Sequence, residues 1–379
     1  MIIWLALCIP ILAVIVLGIF FTKKVTFLEY LLIFGVPALT IVIAKVSIEK
    51  SQVIDKEYWN SYAMTSNYYE EWDEWIDRTC SREDCSGSGD DRTCTTEYYD
   101  CSYRDYHPQI WEVCDNLGQH YSINSNYFEF LCRTWSNKVF RDMHRDYYHI
   151  DGDAYFTNFD NQFDHLIPIS AVHHYENRVQ ASHSVFNFQE IDTATLKAYK
   201  LFEYPSESIF DFNSILGYND SNASIKLQKW NGWLGYRKQV QMFILVFNDK
   251  PYDAAVAQEM YWKGGNKNEF TLCIGIKNKK IRWTKVISWT EVEDLKIRVA
   301  RTVKEMDSLD MVKIVDYMAG EVDKNFKRKR FRDFNYLTVE PSGEAVTVTF
   351  ILTFLITMAV SIYSVANEYE VRNESKRFY

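Results

Sequence analysis

Three stretches of this 379-residue chain carry enough uninterrupted apolar side chains to cross a lipid bilayer, and they constrain everything between them. Residues 2–21 contain no charge, and about twenty apolar residues in a helix match the thickness of a bilayer core. Residues 25–44 form a second stretch, with Glu29 near one end, and residues 345–366 form a third, uncharged and carrying several Thr and Ser. Pro10 is tolerable inside a membrane helix. The first stretch reads as a span rather than a cleaved signal peptide. It has no basic leader and no small-residue cleavage site, and a second span follows it directly. Residues 1–46 therefore read as a transmembrane helical hairpin (2–21 and 25–44). That arrangement puts the N-terminus and residues 47–344 on one side and the 367–379 tail on the other.

Charge speaks to which side. Lys23 and Lys24 in the hairpin turn, and Arg372, Lys376 and Arg377 in the tail, favour a cytoplasmic location for those ends. The large domain is then extracytoplasmic. Lys324, Lys327, Arg328, Lys329, Arg330 and Arg332 oppose this, because they precede the third span on the domain side. They read either as the solvated end of a helix, favoured by its dipole, or as a patch for lipid headgroups. The net charge of −9 and a pI near 5.5 argue against a nucleic-acid partner. The partners expected are the bilayer itself and another protein or a second copy.

Cysteine usage points the same way as the hairpin charges. Cys80, Cys85, Cys94, Cys101, Cys114 and Cys132 crowd into one polar segment punctuated by Gly and Ser. An even set of this kind reads as a disulfide framework in an oxidising compartment. Zinc ligation and free thiols stay open as alternatives, although no CxxC pair is present. Six cysteines allow 15 pairings, and spacing does not choose among them. Around them, residues 47–215 form a β-rich Cys/Tyr/His module. EYWNSYAMTSNYYEEWDEW lacks a helical period, and 77–103 reads as a long hairpin turning at Ser86–Asp91.

All eight histidines fall between His107 and His183. His144, His149, Asp151 and Asp153 are the metal candidates in this region, since clustered imidazoles and carboxylates suit both metal binding and proton transfer near neutral pH. Their spacing matches no zincin or EF-hand loop. In HHYENR, Glu176 and Arg178 would share a strand face and could pair.

Residues 204–235 read as a connector, and an α/β domain follows over 225–335. Residues 240–247 are a buried strand, 252–260 a helix ended by Gly264–Gly265, and 270–276 a strand turned by 277–280 into its partner at 281–287. The periods at 292–306 and 312–326 are those of amphipathic helices. Asp307 or Ser308 would cap the second of these.

The stretch AVAQEMYWKGGNKNEFTLCIGIKNKKIRW resembles the TPM family, whose members are small α/β domains facing a lumen, periplasm or cell exterior, often beside a transmembrane helix. The likeness covers roughly 239–306. It implies a site of acidic residues holding a divalent cation, with phosphatase activity in some members. The matching positions are Glu291, Glu293 and Asp294, with Asp249 and Asp253 at the end of the first strand, but the family's glycines are replaced by Ser288-Trp289-Thr290. The Cys-rich segment with HRDYYHIDGD and HHYENRVQASHSVFNF is also similar to membrane proteins of large phages and bacteria.

No phosphate loop, dinucleotide fingerprint, nucleophile elbow or zincin motif occurs, so no catalytic residue is assigned. The chain reads as an α+β membrane-anchored protein: three transmembrane helices, a β-rich disulfide-containing module and a TPM-like α/β domain. The expected function is a multi-pass membrane protein displaying an extracytoplasmic interaction or regulatory domain. A TPM-like metal-dependent hydrolase and a His-cluster metal-binding sensor are the alternatives.

Overall fold

The computed structural model describes residues 2–375 except 22–24, 87–91, 183–187, 189, 307 and 340. Lys23, Lys24, the tip of the 77–103 hairpin, His183, Asp307, Lys376 and Arg377 lie outside the described residues.

Among the described residues, three helices are long and apolar enough to cross a membrane. A 3-10 turn, Ile2–Leu7, runs into α1 (Cys8–Phe20), and α2 covers Phe27–Val53. Glu29, the one acid of the second apolar stretch, belongs to a capping box. Its carboxylate accepts from the Thr26 amide at 2.7 Å, while Thr26 Oγ1 accepts from the Glu29 amide. Helix α2 continues beyond residue 44 and passes into strand β1 (Ile54–Tyr69) with no intervening loop.

Strand β1 is the spine of the β-rich lobe. After it come β2 (Trp72–Ile76), β3 (Thr79–Ser86), β4 (Thr93–Asp100), β5 (Tyr103–His107), β6 (Ile110–Asp115) and β7 (His120–Ser122). Helix α3 (Ser125–Trp135), β8 (Val139–Arg141), β9 (Ala154–Asn158), β10 (Pro168–Glu176) and α4 (Arg178–Ala181) complete the lobe. The first half of β1 pairs antiparallel with β10, from Ile54 opposite Glu176 to Tyr62 opposite Pro168. A bulge between Ala63 and Thr65 then redirects it onto β6 and β9. Strands β2 and β5 form a separate two-stranded ribbon, and β3 and β4 form a hairpin arm.

The α/β lobe contains α5 (Thr193–Tyr199), β11 (Ile215–Leu216), α6 (Ser221–Lys238), β12 (Gln241–Asn248), α7 (Asp253–Tyr261), β13 (Glu269–Lys277), β14 (Lys280–Ser288), α8 (Glu293–Lys304) and α9 (Met311–Asn325). Its sheet runs β11-β12-β13-β14, parallel except for the β13–β14 hairpin. Strand alternation sends Met242, Ile244 and Val246 into one core with α6, α8 and α9. Phe243, Leu245 and Phe247 enter the other core, with α5 and α7. The result is a three-layer α/β/α sandwich. The β13–β14 turn places Asn278 and Lys279 at φ +52° and +60°, as a two-residue hairpin requires. Asp310, not Ser308, caps α9 by accepting from the Lys313 amide.

The 204–235 connector is corrected. Most of its second half is α6, capped by Asp220 and packed between the two lobes. Ala223, Leu227 and Leu234 face the sheet. Gly232 and Gly235 face β1, and an ideal Cβ on Gly235 would lie 2.0 Å from the Asn60 carbonyl oxygen. A helix buried on two sides shows no single apolar stripe, which is why its period is not legible. The lobes are stitched together by buried amides. Asn60 Nδ2 donates to Val240 O at 3.1 Å and to Gln241 Oε1 at 2.7 Å, and Asn268 Nδ2 donates to Tyr58 O at 2.7 Å.

After α9 a short 3-10 turn, Phe331–Phe334, leads to α10 (Gly343–Ser375). Thr349, Thr353 and Thr357 line a buried stripe on α10, each hydroxyl donating to the carbonyl four residues back. Helix α10 packs on α1 and α2.

Candidate functional site

Where β1 and β10 meet the start of β13, two carboxylates are buried in opposite surroundings. Glu57 on β1 is fully buried. Its Oε1 accepts from Trp59 Nε1 at 2.8 Å and lies 3.1 Å from His173 Nδ1, on the residue directly opposite across the ladder. Lys267 Nζ approaches to 3.4 Å and Arg328 Nη2 to 3.5 Å. The Trp59 indole stacks on the His173 ring at 3.9 Å. Glu57 Oε2 is buried without a hydrogen-bond partner among the described residues.

Glu269, the first residue of β13, is equally buried but has no ion pair among the described residues. It accepts from the Asn266 amide at 3.0 Å, from Asn266 Nδ2 at 2.7 Å and from the Tyr204 hydroxyl at 3.0 Å. Burial pushes its pKa up to about 7, Asp55 adds to the rise, and these three hydrogen bonds only partly oppose it. The network extends outward. The Tyr175 hydroxyl lies 3.2 Å from Asn266 Oδ1 and 3.3 Å from Asp55 Oδ2, and Asn177 Nδ2 donates to Asp55 at 2.8 Å. A cleft of about 540 Å³ opens over it, lined by Asp55, Tyr58, Tyr204, Glu207, Lys263 and Asn266 among others. This arrangement can hold or release a proton near neutral pH behind an open cleft.

The cysteines divide. Cys80–Cys101 and Cys85–Cys94 are disulfides, while Cys114 and Cys132 are free. The physical reason is placement. Cys85 and Cys94 face each other across the β3–β4 ladder. Cys114 instead belongs to β6 opposite Thr65, and Cys132 to the buried face of α3. Burial raises both of these thiols above their ordinary range.

The acids implied by the family likeness form no group of three with ligand atoms within 4.8 Å among the described residues. Glu293 and Asp294 open α8, strongly exposed, and pair with Lys296 at 2.5 Å and Arg298 at 3.3 Å within their own helix. Glu291 lies beside them, its amide bonded to Lys327 O. Asp249 pairs with Lys277 at 2.9 Å, and Asp253 begins α7.

The His/Asp segment is held in place by Asp73, a buried residue of β2. Asp73 accepts from the amides of His149 and Ile150 and pairs with Arg104. Burial works against ionisation here, but those contacts hold the carboxyl below the usual range. Asp151 and Asp153 gather with Asp142, their carboxylate oxygens within 4.8 Å of one another. His144 is exposed, 3.6 Å from Asp142, and His149 packs on Tyr148. The other described histidines are dispersed. His107 stacks on Trp72 near Glu74 and Asp105, His120 lies by Glu112, His165 lies by Asp160, and His174 is exposed.

Glu176 ends β10, and Arg178 donates to the Leu337 carbonyl at 3.4 Å. The strand stops at Glu176, so the two-residue repeat that would pair these side chains ends there.

Glu57, Lys267 and Glu269 were not legible as site residues. Glu57 follows Asp55 and Lys56 on β1, Lys267 lies in the turn before β13 and Glu269 opens that strand, and nothing local to any of the three marks it as buried beside the others. Comparisons with protein-family models, with curated proteins and with solved structures returned no match for this chain.

Proposed function

We propose that this chain is a multi-pass membrane protein that displays residues 54–339 outside the cytoplasm as a binding or regulatory domain. The observation that carries the reading is the β3–β4 arm. None of its described residues is buried, and it is held by two disulfides and its own ladder. A hairpin without a core persists through such staples only where thiols stay oxidised. Residues 79–100 carry six acids and two arginines, and Tyr98 and Tyr99 are 73% and 50% exposed. Exposed tyrosines on an acidic arm suit a protein partner or a second copy with a basic face.

Membrane anchoring is supported by the packing of α1, α2 and α10 and by Trp4. The Trp4 ring lies 5.7 Å from the Lys45 ammonium, a pairing suited to the headgroup level. The order β12, α7, β13, β14, α8 supports a TPM-like reading of the α/β lobe. The hydrolase alternative gains nothing from Glu293 and Asp294, whose charges are answered within α8.

Alkylation of intact native cells before lysis tests the reading. Cys80, Cys85, Cys94 and Cys101 should resist maleimide until reduced. Immediate labelling of these four would assign the domain to a reducing compartment. A photo-crosslinker at Tyr98 should capture a protein, and capture of nothing would remove the interaction half.

A further inference from the structure

We propose that the groove between β1, Lys267 and the 327–335 run binds the phosphate of an anionic lipid headgroup in the bilayer that holds α2 and α10. The inference rests on the membrane-anchored reading above. The groove measures about 900 Å³ and is lined by Lys267, Arg328, Lys329, Arg330 and Arg332, with Gln239 and Asn335 adding amide donors. Against these five cations stand Glu176 at the edge and Glu57 beneath. Lys267 and Arg328 share the single Glu57 Oε1. Arg330 and Arg332 are exposed and have no ion pair among the described residues. Lys329 sits over the Phe334 ring at 5.3 Å. Asp333, on the same turn, does not line the groove. The surplus is positive and is built largely of guanidinium groups, which grip phosphate through paired N–H donors.

Position selects a lipid as the source of that phosphate. A second groove, of about 510 Å³, shares Glu176 and Asn335 with the first and reaches Lys45, Glu49, Lys50 and Val53 at the end of α2. The apolar part of α2 ends at Ala44, and Val53 lies about 13 Å further along the helix axis at 1.5 Å per residue. Headgroup layers are roughly 5–8 Å deep on each face. The paired grooves thus descend from the basic turn to the level of the headgroups, where Tyr336 is 70% exposed and suited to the interface. Lys267 is held low by burial and by neighbouring Arg328, with Glu57 opposing. A bound phosphate supplies the countercharge this crowded group lacks.

The test uses the full chain in detergent, with native mass spectrometry and vesicle competition. The probes are phosphatidylglycerol, phosphatidylcholine and inorganic phosphate. Wild-type protein should retain phosphatidylglycerol over phosphatidylcholine, and R330Q/R332Q should lose that preference by about thirtyfold, at roughly a factor of five per basic residue near an anionic surface. A control of equal charge change, K279Q/K280Q on the β13–β14 turn, should retain it. Equal retention by wild type and R330Q/R332Q overturns the proposal, as does no preference between the lipids. Displacement of phosphatidylglycerol by millimolar inorganic phosphate makes the groove a free-phosphate site and also overturns it. Alkaline carbonate extraction is run in parallel. Release of the chain from membranes would sink the anchoring reading itself, independently of any phosphate bound.

Discussion

The β3–β4 arm and the β11–β14 sheet hold strands together in opposite ways. In the sheet, β12 buries residues 241–247 and β13 buries residues 269–276, with helices on both faces. In the arm, no described residue is buried, and the two strands are joined by disulfides spanning 21 and 9 residues. Apolar burial stabilises the first cooperatively with everything packed on it. A cross-link stabilises the second by limiting its unfolded states, locally and only while oxidised. Surface chemistry on the arm can therefore change without disturbing the lobes, a property suited to a partner-facing element. A charge altered inside the lobes has no such freedom.

The largest expected effect breaks the sheet. Phe243→Ala removes a fully buried ring at the centre of the sandwich and should cost about 3–5 kcal/mol in denaturant unfolding. A loss below about 1 kcal/mol would mean that the lobe is not organised around β12.

The second prediction concerns pH. Glu269 has a folded pKa near 7, above its ordinary value, so the folded state holds the proton more tightly than the unfolded chain. The stability it contributes is fully present below the ordinary carboxylate range and is lost as pH rises to about 7. Over that window unfolding free energy should fall by roughly 3 kcal/mol. Asp73, held low, titrates below it. In Glu269→Gln the slope should flatten, and identical pH profiles for the two proteins would exclude Glu269 as its source.

A smaller effect is expected where the two lobes meet. Gly235→Ala forces a methyl group into the Asn60 carbonyl, at a cost of about 1–3 kcal/mol. Limited proteolysis should then cut between the lobes before cutting within them.

The smallest effect sharpens the comparison from the arm's side. Replacing Cys80, Cys85, Cys94 and Cys101 by Ser should leave the main unfolding transition within about 1 kcal/mol, because the arm contributes no core. The same variant should make residues 79–100 the first site of proteolysis. A large global loss would show the arm to be integral to the β-rich lobe.

The two regions also differ in how far they could be read from the chain. Strands expected at 240–247, 270–276 and 281–287 are found at Gln241–Asn248, Glu269–Lys277 and Lys280–Ser288. Periods of 2 and 3.6 report one-sided or fully buried elements directly. Helix α6 escaped because Leu227 and Leu234 face one lobe while Gly232 and Gly235 face the other. The hairpin shape of the arm was legible from its Gly/Ser turn. Its pairing was not, since ladder register put Cys94 opposite Cys85 and left Cys114 in the sheet. Of the expected groupings of acids and histidines, Asp151 and Asp153 gather, but with Asp142, while His144 is exposed and His149 packs on Tyr148, because nearness in sequence does not by itself select which side chains converge.

By itself the sequence determined what depends on neighbours a few residues away. That covers three apolar helices, the order of strands and helices from β12 onward in the α/β lobe, and the crowding of cysteines into one segment. Only the tertiary structure decided which charges face one another. His173 lies 116 residues from Glu57, and Arg328 lies 271 residues from it. Whether a buried carboxylate is ringed by cations, like Glu57, or by neutral donors, like Glu269, depends on which distant side chains the packed lobes bring beside it. Electrostatic energies in a low-dielectric interior depend on those distances of a few ångströms, and no local pattern records them.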